Sequence, residues 1–412
     1  MRILQIGGGN FLRGFADWMI QKGNDAGVLD TGVAVLKVTP RPSRVPLRAA
    51  PFRVVLDGPG GRDVTRVDVI DEVADAYADW DRCLAIARGD DLRLVVSNTT
   101  EAGIVDVADD LSARPPETFP AKIAVLLHER WRHFRGDPAR GLSFLPCELN
   151  EDNGRLLRSA VLRHAAALDP AFAAWTGAHC RFYDTIVDRI VPGGDAEEVR
   201  GERYAHWAIA GDPRIRDEFP LDRAGLPVEF LEDIGPYRVK KVRILNGSHT
   251  ALAAVAPLLG CVTVNQAVAH PLAGEYLRRL LDTEVLPTLQ PGAGPFAAAT
   301  VDRLASPALE HRLADIALNA IAKWHTRNLP VVRDRWAAGE KAPLSVFALA
   351  CLMLGYAGEL GDVPVRDDAE VVARIRDGVF PFDDARLAGE TADHVRAIRA
   401  AGPEAALEKV IR

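Results

Sequence analysis

Five cysteines are all that the 412 residues contain, and they lie far apart, at Cys83, Cys147, Cys180, Cys261 and Cys351. No CxxC pair and no Cys/His spacing of a zinc site occurs among them. An odd, dispersed set argues against a disulfide framework and for reduced thiols in a cytoplasmic protein, with no metal site expected. A basic excess is missing too. Lys and Arg number 50 against 57 Asp and Glu, a net charge of -7, and the arginines are scattered among acids. Nucleic-acid binders carry a basic stripe, so no nucleic-acid partner is expected. The longest apolar run, ALAAVAPLLGCVTVNQAVA (251–269), is broken by Pro257, Gly260, Asn265 and Gln266. It reads as core helix, turn and further core, so no membrane partner is expected. Internal repeats and low-complexity tracts are absent. The chain opens straight into MRILQIGGGN, a strand and a glycine turn, which leaves no room for a signal peptide.

What remains is the composition of a soluble globular protein, 48% apolar and 26% charged, long enough for two or three domains. The first half alternates short β-rich runs with helical patterns. RILQIG precedes the helical FLRGFADWMIQKG, and GVAVLKV and LRLVVSN follow; then come the amphipathic FPAKIAVLLHERWRHF, the strand-like LSFLPCEL and YAHWAIAG. Strands alternating with helices predict βαβ units and a mostly parallel sheet. From about Gly235 the pattern is helical only, with Pro/Gly turns between segments. The expected fold class is therefore α/β plus all-α. A Rossmann-type dinucleotide-binding domain is placed at 1–232 and a helical substrate/catalytic domain at 233–412.

QIGGGNFLRGF ends the first strand on Gly7, Gly8 and Gly9, with a helix starting near Asn10. Glycines at such a turn let the backbone approach a pyrophosphate, and the helix N-terminus supplies N–H donors. Gly7 and Gly9 match the first two positions of GxGxxG, while Leu12 stands at the third. The second strand ends VLKVTPRPSR, without the acid that holds an adenosine ribose. Arg41 and Arg44 suit a 2′-phosphate as well as they suit exposed loop positions, so NAD and NADP both stay open.

KKVRILNGSHTALAAVAPLL (240–259) places Lys241, Asn246 and His249 ahead of an apolar helix. On an α-helix the three fall within an arc of roughly 140°. A metal-independent alcohol/ketone oxidoreductase needs a proton donor for the substrate oxygen and further donors that polarise it. Lysine fills the first role when burial and nearby cations lower its pKa, and Arg238, Lys240 and Arg243 are its sequence neighbours. Asn246 supplies an amide N–H, and His249 orients the lysine or binds a hydroxyl. Taken singly, each residue also has an ordinary structural use, as a solvated helix end, a turn or a core histidine.

GGGNFLRGF, SNTTEAGI, PCELNEDNG, FYDTIVDRIVPGG and KKVRILNGSHT together resemble, in order, the motifs of the polyol-specific long-chain dehydrogenases, the mannitol dehydrogenase family. SNTTEAGI, PCEL and VRILNGSHT most resemble its tagaturonate reductase branch. The resemblance implies a Rossmann-type domain joined to a helical domain, and NAD(H)-dependent interconversion of a secondary alcohol and a ketone. It gives Lys241 the general acid/base role, Asn246 oxyanion stabilisation and His249 substrate positioning. Gly7, Gly9, Asn10, Phe11, Asn98, Thr99 and Glu101 fall to the nucleotide, and Asp188 and Arg189 to the substrate cleft, where Arg189 serves equally well as an ion-pair partner of Asp188. Two departures stand out. Leu149 replaces the second oxyanion asparagine of mannitol dehydrogenases, with Asn150 and Asn153 as substitutes, and Arg238 replaces a glutamate three residues before the lysine. Both suit an acidic substrate, whose carboxylate would meet Arg238, Arg327 or Lys323. The expected reaction is tagaturonate to altronate with NADH. Fructuronate/mannonate, mannitol/fructose and non-catalytic NAD(H) sensing are the alternatives.

Overall fold

In the first strand, β1 (Arg2–Ile6), Ile3 joins one apolar cluster while Leu4 and Ile6 join another. The same split recurs in β2 (Gly32–Lys37), with Val33 and Val35 on one side and Ala34 and Leu36 on the other. Successive strand side chains point to opposite faces, so strands apolar on both faces build a sheet covered on both sides. A hairpin of β3 (Phe52–Gly58) and β4 (Gly61–Val67) follows, then β5 (Ile70–Asp75), β6 (Leu92–Ser97), β7 (Ser143–Pro146) and β8 (Arg181–Phe182). Six strands form one parallel sheet in the order β5-β2-β1-β6-β7-β8. Counted among themselves along the chain, that order is 3-2-1-4-5-6, the doubly wound arrangement whose ligands lie at the carboxyl ends of the strands where the order reverses. Here the reversal falls between β1 and β6.

The computed structural model describes residues 1–42, 46–58, 61–99, 103–191, 193–306 and 311–412. Its chain divides into two compact units, Met1–Ile234 and Gly235–Arg412. In the first unit the helical run from Asn10 to Asp25 lays Leu12, Phe15, Met19 and Ile20 on one face of the sheet. Helices Trp80–Ala87, Phe119–His133 and Asn153–Leu168 cover the other. Two smaller sheets enlarge the first core. One has the order β10-β11-β3-β4, with β10 at Gly193–Gly194 and β11 at Glu198–Glu202. The other is β13-β12-β9, with β9 at Asp184–Asp188, β12 at His206–Ala210 and β13 at Val228–Leu231. Fully buried Trp207 of β12 meets the rings of Phe15 and Phe219 at 5.2 and 5.6 Å. Alternating β and α runs foretell the parallel sheet and β12. They do not foretell these two smaller sheets, in one of which the β11–β3 pairing joins residues more than a hundred positions apart, Glu198 with Arg53.

The second unit contains no strand among its described residues, only isolated bridges Thr263–Arg312 and Leu318–Arg366. Helix Pro343–Tyr356 is apolar all round and lies at its centre, packed by helices Gly247–Val255, Ala385–Ala401 and Pro403–Ile411. Its first turn is held by the buried carboxylate of Glu284, which accepts from Leu344 N at 2.6 Å, Ser345 N at 2.9 Å and Ser345 Oγ at 2.6 Å. A negative group there satisfies N–H donors that the helix itself cannot.

Candidate active site

The glycine turn leaves β1 at the point where the strand order reverses. Gly7 has φ +100°, donates to Leu36 O at 2.9 Å, and a Cβ on it would come within 3.0 Å of Asn98 O. Only glycine fits that conformation beside that carbonyl. Gly9 precedes the helix in extended conformation; no side chain caps the helix start, and a Cβ there would meet nothing within 4 Å. Bare first-turn N–H groups under open space are what a phosphate requires. Asn10 donates to Gly194 O at 3.2 Å and accepts from Arg13 at 3.3 Å, while Phe11 stacks on Phe15 at 5.0 Å. Those two expected nucleotide contacts are therefore engaged in packing. A cavity of about 330 Å³ opens beside Gly8, lined by Arg13, Leu47, Arg48, Arg53 and Arg66. Arg41 is exposed, and Arg44 and Glu101 lie outside the described residues.

Across the reversal, Asn98 donates to Cys147 O at 3.3 Å. Thr99 donates through N and Oγ1 to one oxygen of Glu148, at 2.8 and 2.9 Å, and Ser97 Oγ donates to the other at 2.9 Å. Glu148, which the motif comparison passed over, is thereby the organiser of this strand end. Beneath the turn, Gln5 Nε2 donates to Gly7 O at 3.2 Å and to Asp17 Oδ2 at 3.4 Å. Complete burial pushes the Asp17 carboxyl up to about 7, against the opposing pull of Gln5 and Arg13.

Two expectations from the middle of the chain need correction. Arg189 is 6% exposed, lies 4.1 Å over the Trp18 ring, and donates to Gly14 O at 2.6 Å, Tyr204 O at 3.1 Å and Arg203 O at 3.4 Å. Burial lowers its pKa to about 10. Its guanidinium pins strand and helix together, so it is a packing residue rather than a substrate contact; Asp188 is buried beside it at the end of β9. Asn153 is 0% exposed and donates to Pro146 O, Glu148 O and Thr185 O at 2.9, 2.8 and 3.0 Å. No amide hydrogen remains for an oxyanion. Leu149 is exposed, which leaves Asn150 as the asparagine of this segment near the strand end.

In the helical unit the segment carrying Lys241, Asn246 and His249 is not a regular α-helix. Helix Gly235–Lys241 passes into a π-helical turn, Val242–Asn246, and then into helix Gly247–Val255. A π turn holds one residue more than an α turn, which sets back everything beyond it by about 100°. The three side chains therefore share an arc of about 60° instead of the roughly 140° of a regular helix. Lys241 is 5% and His249 8% exposed. Lys240 instead lies over the rings of Tyr237 and Phe296, at 4.9 and 5.1 Å, and Arg243 binds Asp334 at 2.6 Å and Thr288 O at 3.0 Å. Arg238 is half-buried on the helix that carries Lys241.

Helix Ala320–Arg327 lies alongside. Arg327 donates to Thr250 Oγ1 at 3.2 Å, Thr250 donates to Asn246 O at 3.1 Å, and Asn328 donates to Gly247 O at 3.3 Å. Lys323 donates to Ile316 O at 2.9 Å. The His249 ring meets His311 edge-on at 5.0 Å. Burial, then His311, Arg327, Arg303 and Lys241, push the His249 pKa well down, so its imidazole is neutral. His311 and Arg303 were not anticipated, because nothing local distinguishes them from surface residues of amphipathic helices.

The chain thus carries a Rossmann-type sheet with its glycine turn and, in the helical unit, a π turn that brings Lys241, Asn246 and His249 toward one face. Residues 1–222 match the mannitol dehydrogenase Rossmann domain and residues 233–377 the mannitol dehydrogenase C-terminal domain. The chain belongs to the mannitol dehydrogenase family. It is a dehydrogenase. Among relatives, altronate oxidoreductase of Bacillus subtilis is 39% identical over 385 residues, covering 86% of this chain and 79% of that protein. Altronate oxidoreductase of Pectobacterium carotovorum is 36% identical over 409 residues, 90% of this chain and 84% of that one. Among solved structures, Pseudomonas fluorescens mannitol 2-dehydrogenase, in ternary complex with NAD and D-mannitol, superposes with a TM-score of 0.81. It is 21% identical, over 100% of this chain and 94% of that one, and so speaks to the fold. A substrate-free D-sorbitol dehydrogenase gives 0.79 at 20% identity, over 98% and 94%. No helix among the described residues is long and apolar enough to cross a membrane.

Proposed function

We propose that this member of the mannitol dehydrogenase family interconverts a keto-uronate and its aldonate, tagaturonate and altronate, with NAD(H). The observation that carries the proposal is the 39% identity to an altronate oxidoreductase over most of both chains. The electrostatics of the helical unit support it, since Arg303, Arg327 and Lys241 all bear on His249. Such a cationic setting attracts a uronate and offers nothing particular to a neutral polyol.

The sheet unit fits the nucleotide through the open, uncapped helix start at Gly9 and the tight turn at Gly7. A bound nicotinamide dinucleotide supplies the hydride to the ketone carbon. Lys241 gives its ammonium proton to the substrate oxygen and is left as the amine, which a proton from solvent restores. Asn246 donates an amide N–H to the same oxygen as its charge develops, and neutral His249 hydrogen-bonds a neighbouring hydroxyl. Arg327, anchored on Thr250 close to Asn246, is assigned the carboxylate, with Arg238 as its companion. The test is a panel of tagaturonate, fructuronate and fructose, each with NADH and with NADPH, followed by nucleotide absorbance. Turnover of tagaturonate with NADH is expected. Reduction of fructose without any uronate would refute the acid assignment.

A further inference from the structure

Glu148 presents a problem that its hydrogen bonds do not resolve. Its carboxylate is 3% exposed, and its partners are Ser97 Oγ, Thr99 N and Thr99 Oγ1, all neutral. Among the described residues no ion pair balances it. An uncompensated buried charge is costly, and folds retain one where the charge serves a site. Burial pushes the Glu148 pKa up, and the donors gathered on it, Thr99 N and Oγ1, its own backbone N–H and Ser97 Oγ, pull the other way because each favours the charged form. Its place in the fold names the ligand. Thr99 follows β6 and Glu148 follows β7, adjacent parallel strands whose paired ends are Ser97 and Pro146. These strands begin the second half of the doubly wound sheet, the half that takes the nucleotide portion farther from the glycine turn. With a nicotinamide dinucleotide, that portion carries the ring, which is cationic when oxidised and neutral when reduced.

We propose that Glu148 acts as an ionised carboxylate that both fixes Thr99 at the strand end and biases the crevice toward the oxidised, cationic form of the nucleotide. The proposal rests on the nicotinamide nucleotide assigned above. Hydrogen bonding alone would affect both nucleotide forms alike, whereas the charge separates them. Glu148→Gln isolates that difference. Its carbonyl oxygen keeps both Thr99 donors, its amide donates to Ser97 Oγ, and only the charge is lost.

The experiment titrates NAD⁺ and NADH into full-length wild type and Glu148→Gln, by calorimetry and nucleotide fluorescence, without substrate. A unit charge within about 10 Å in a partly buried cleft corresponds to roughly a tenfold change in the affinity ratio. The expected result is an NAD⁺ Kd raised about tenfold with the NADH Kd within about twofold of wild type. Ser97→Ala keeps the charge and removes one hydrogen bond, so its ratio stays at the wild-type value. Equal changes for the two forms in Glu148→Gln, or no change in either, overturn the charge role while the proposed function stands. Should wild type prefer NADP⁺ and NADPH, the same ratio is read on that pair. If wild type binds neither pair, both proposals fall.

Discussion

Asn153→Ala is the substitution whose cost can be worked from contacts, and it separates a structural asparagine from a catalytic one. Removing the amide strips partners from Pro146 O, Glu148 O, Thr185 O, Gly154 N and Thr185 N. Two of these keep a second partner, since Thr185 Oγ1 donates to Pro146 O and Gly154 N reaches Asp184 at 3.0 Å. Three buried backbone groups are left unsatisfied, at about 1–3 kcal/mol each. The expected loss is about 4 kcal/mol, a large fraction of the 5–15 kcal/mol typical of a folded domain. Urea unfolding, with the transition of the sheet unit followed by Trp fluorescence, measures it. The midpoint should fall sharply while the m-value holds. Asn150→Ala, a change at a less buried position, should leave the midpoint close to wild type. An Asn153→Ala protein within 1 kcal/mol of wild type (roughly the worth of one hydrogen bond) would refute the assignment.

Lys241→Ala should lower kcat by about 10²–10⁴-fold while leaving nucleotide affinity unchanged, as loss of general acid/base catalysis requires; parallel rate and binding measurements check it. Gly7→Ala should reduce both thermal stability and NADH affinity, because of φ +100° and the 3.0 Å approach to Asn98 O. Gly9→Ala, with open space at its Cβ, should keep the melting temperature and weaken NADH binding alone. For Asp17, the native pKa of about 7 lies above the ordinary 3.8, so the native state holds more protons than the unfolded chain between those values. Stability therefore falls as pH rises through that window. Asp17→Asn, neutral throughout, should stabilise the sheet unit above pH 7 by up to about 4 kcal/mol and do little below pH 4. Equal shifts in melting temperature at both pH values would contradict this.

Much of the site was legible because its signals are local. A strand running into three glycines, and K-x4-N-x2-H ahead of an apolar helix, are readable within a dozen residues, since turn geometry and helix periodicity depend on near neighbours. The fates of Arg189 and Asn153 were not readable. Both look like free polar groups in a motif, and both are absorbed by carbonyls of distant strands and helices. The π turn was hidden as well, because choosing an i→i+5 bond over i→i+4 depends on what the helix packs against.

The residues alone determined the class of fold and the parallel sheet, and singled out Lys241 as the proposed proton-transfer group, because binary pattern and glycine placement act over short range. Only the tertiary structure decided how Lys241, Asn246 and His249 share one narrow face, which asparagine is locked in the core, and that Glu148 holds the end of β6. These outcomes depend on desolvation and on hydrogen-bond partners brought from far along the chain, and neither is encoded in any single segment.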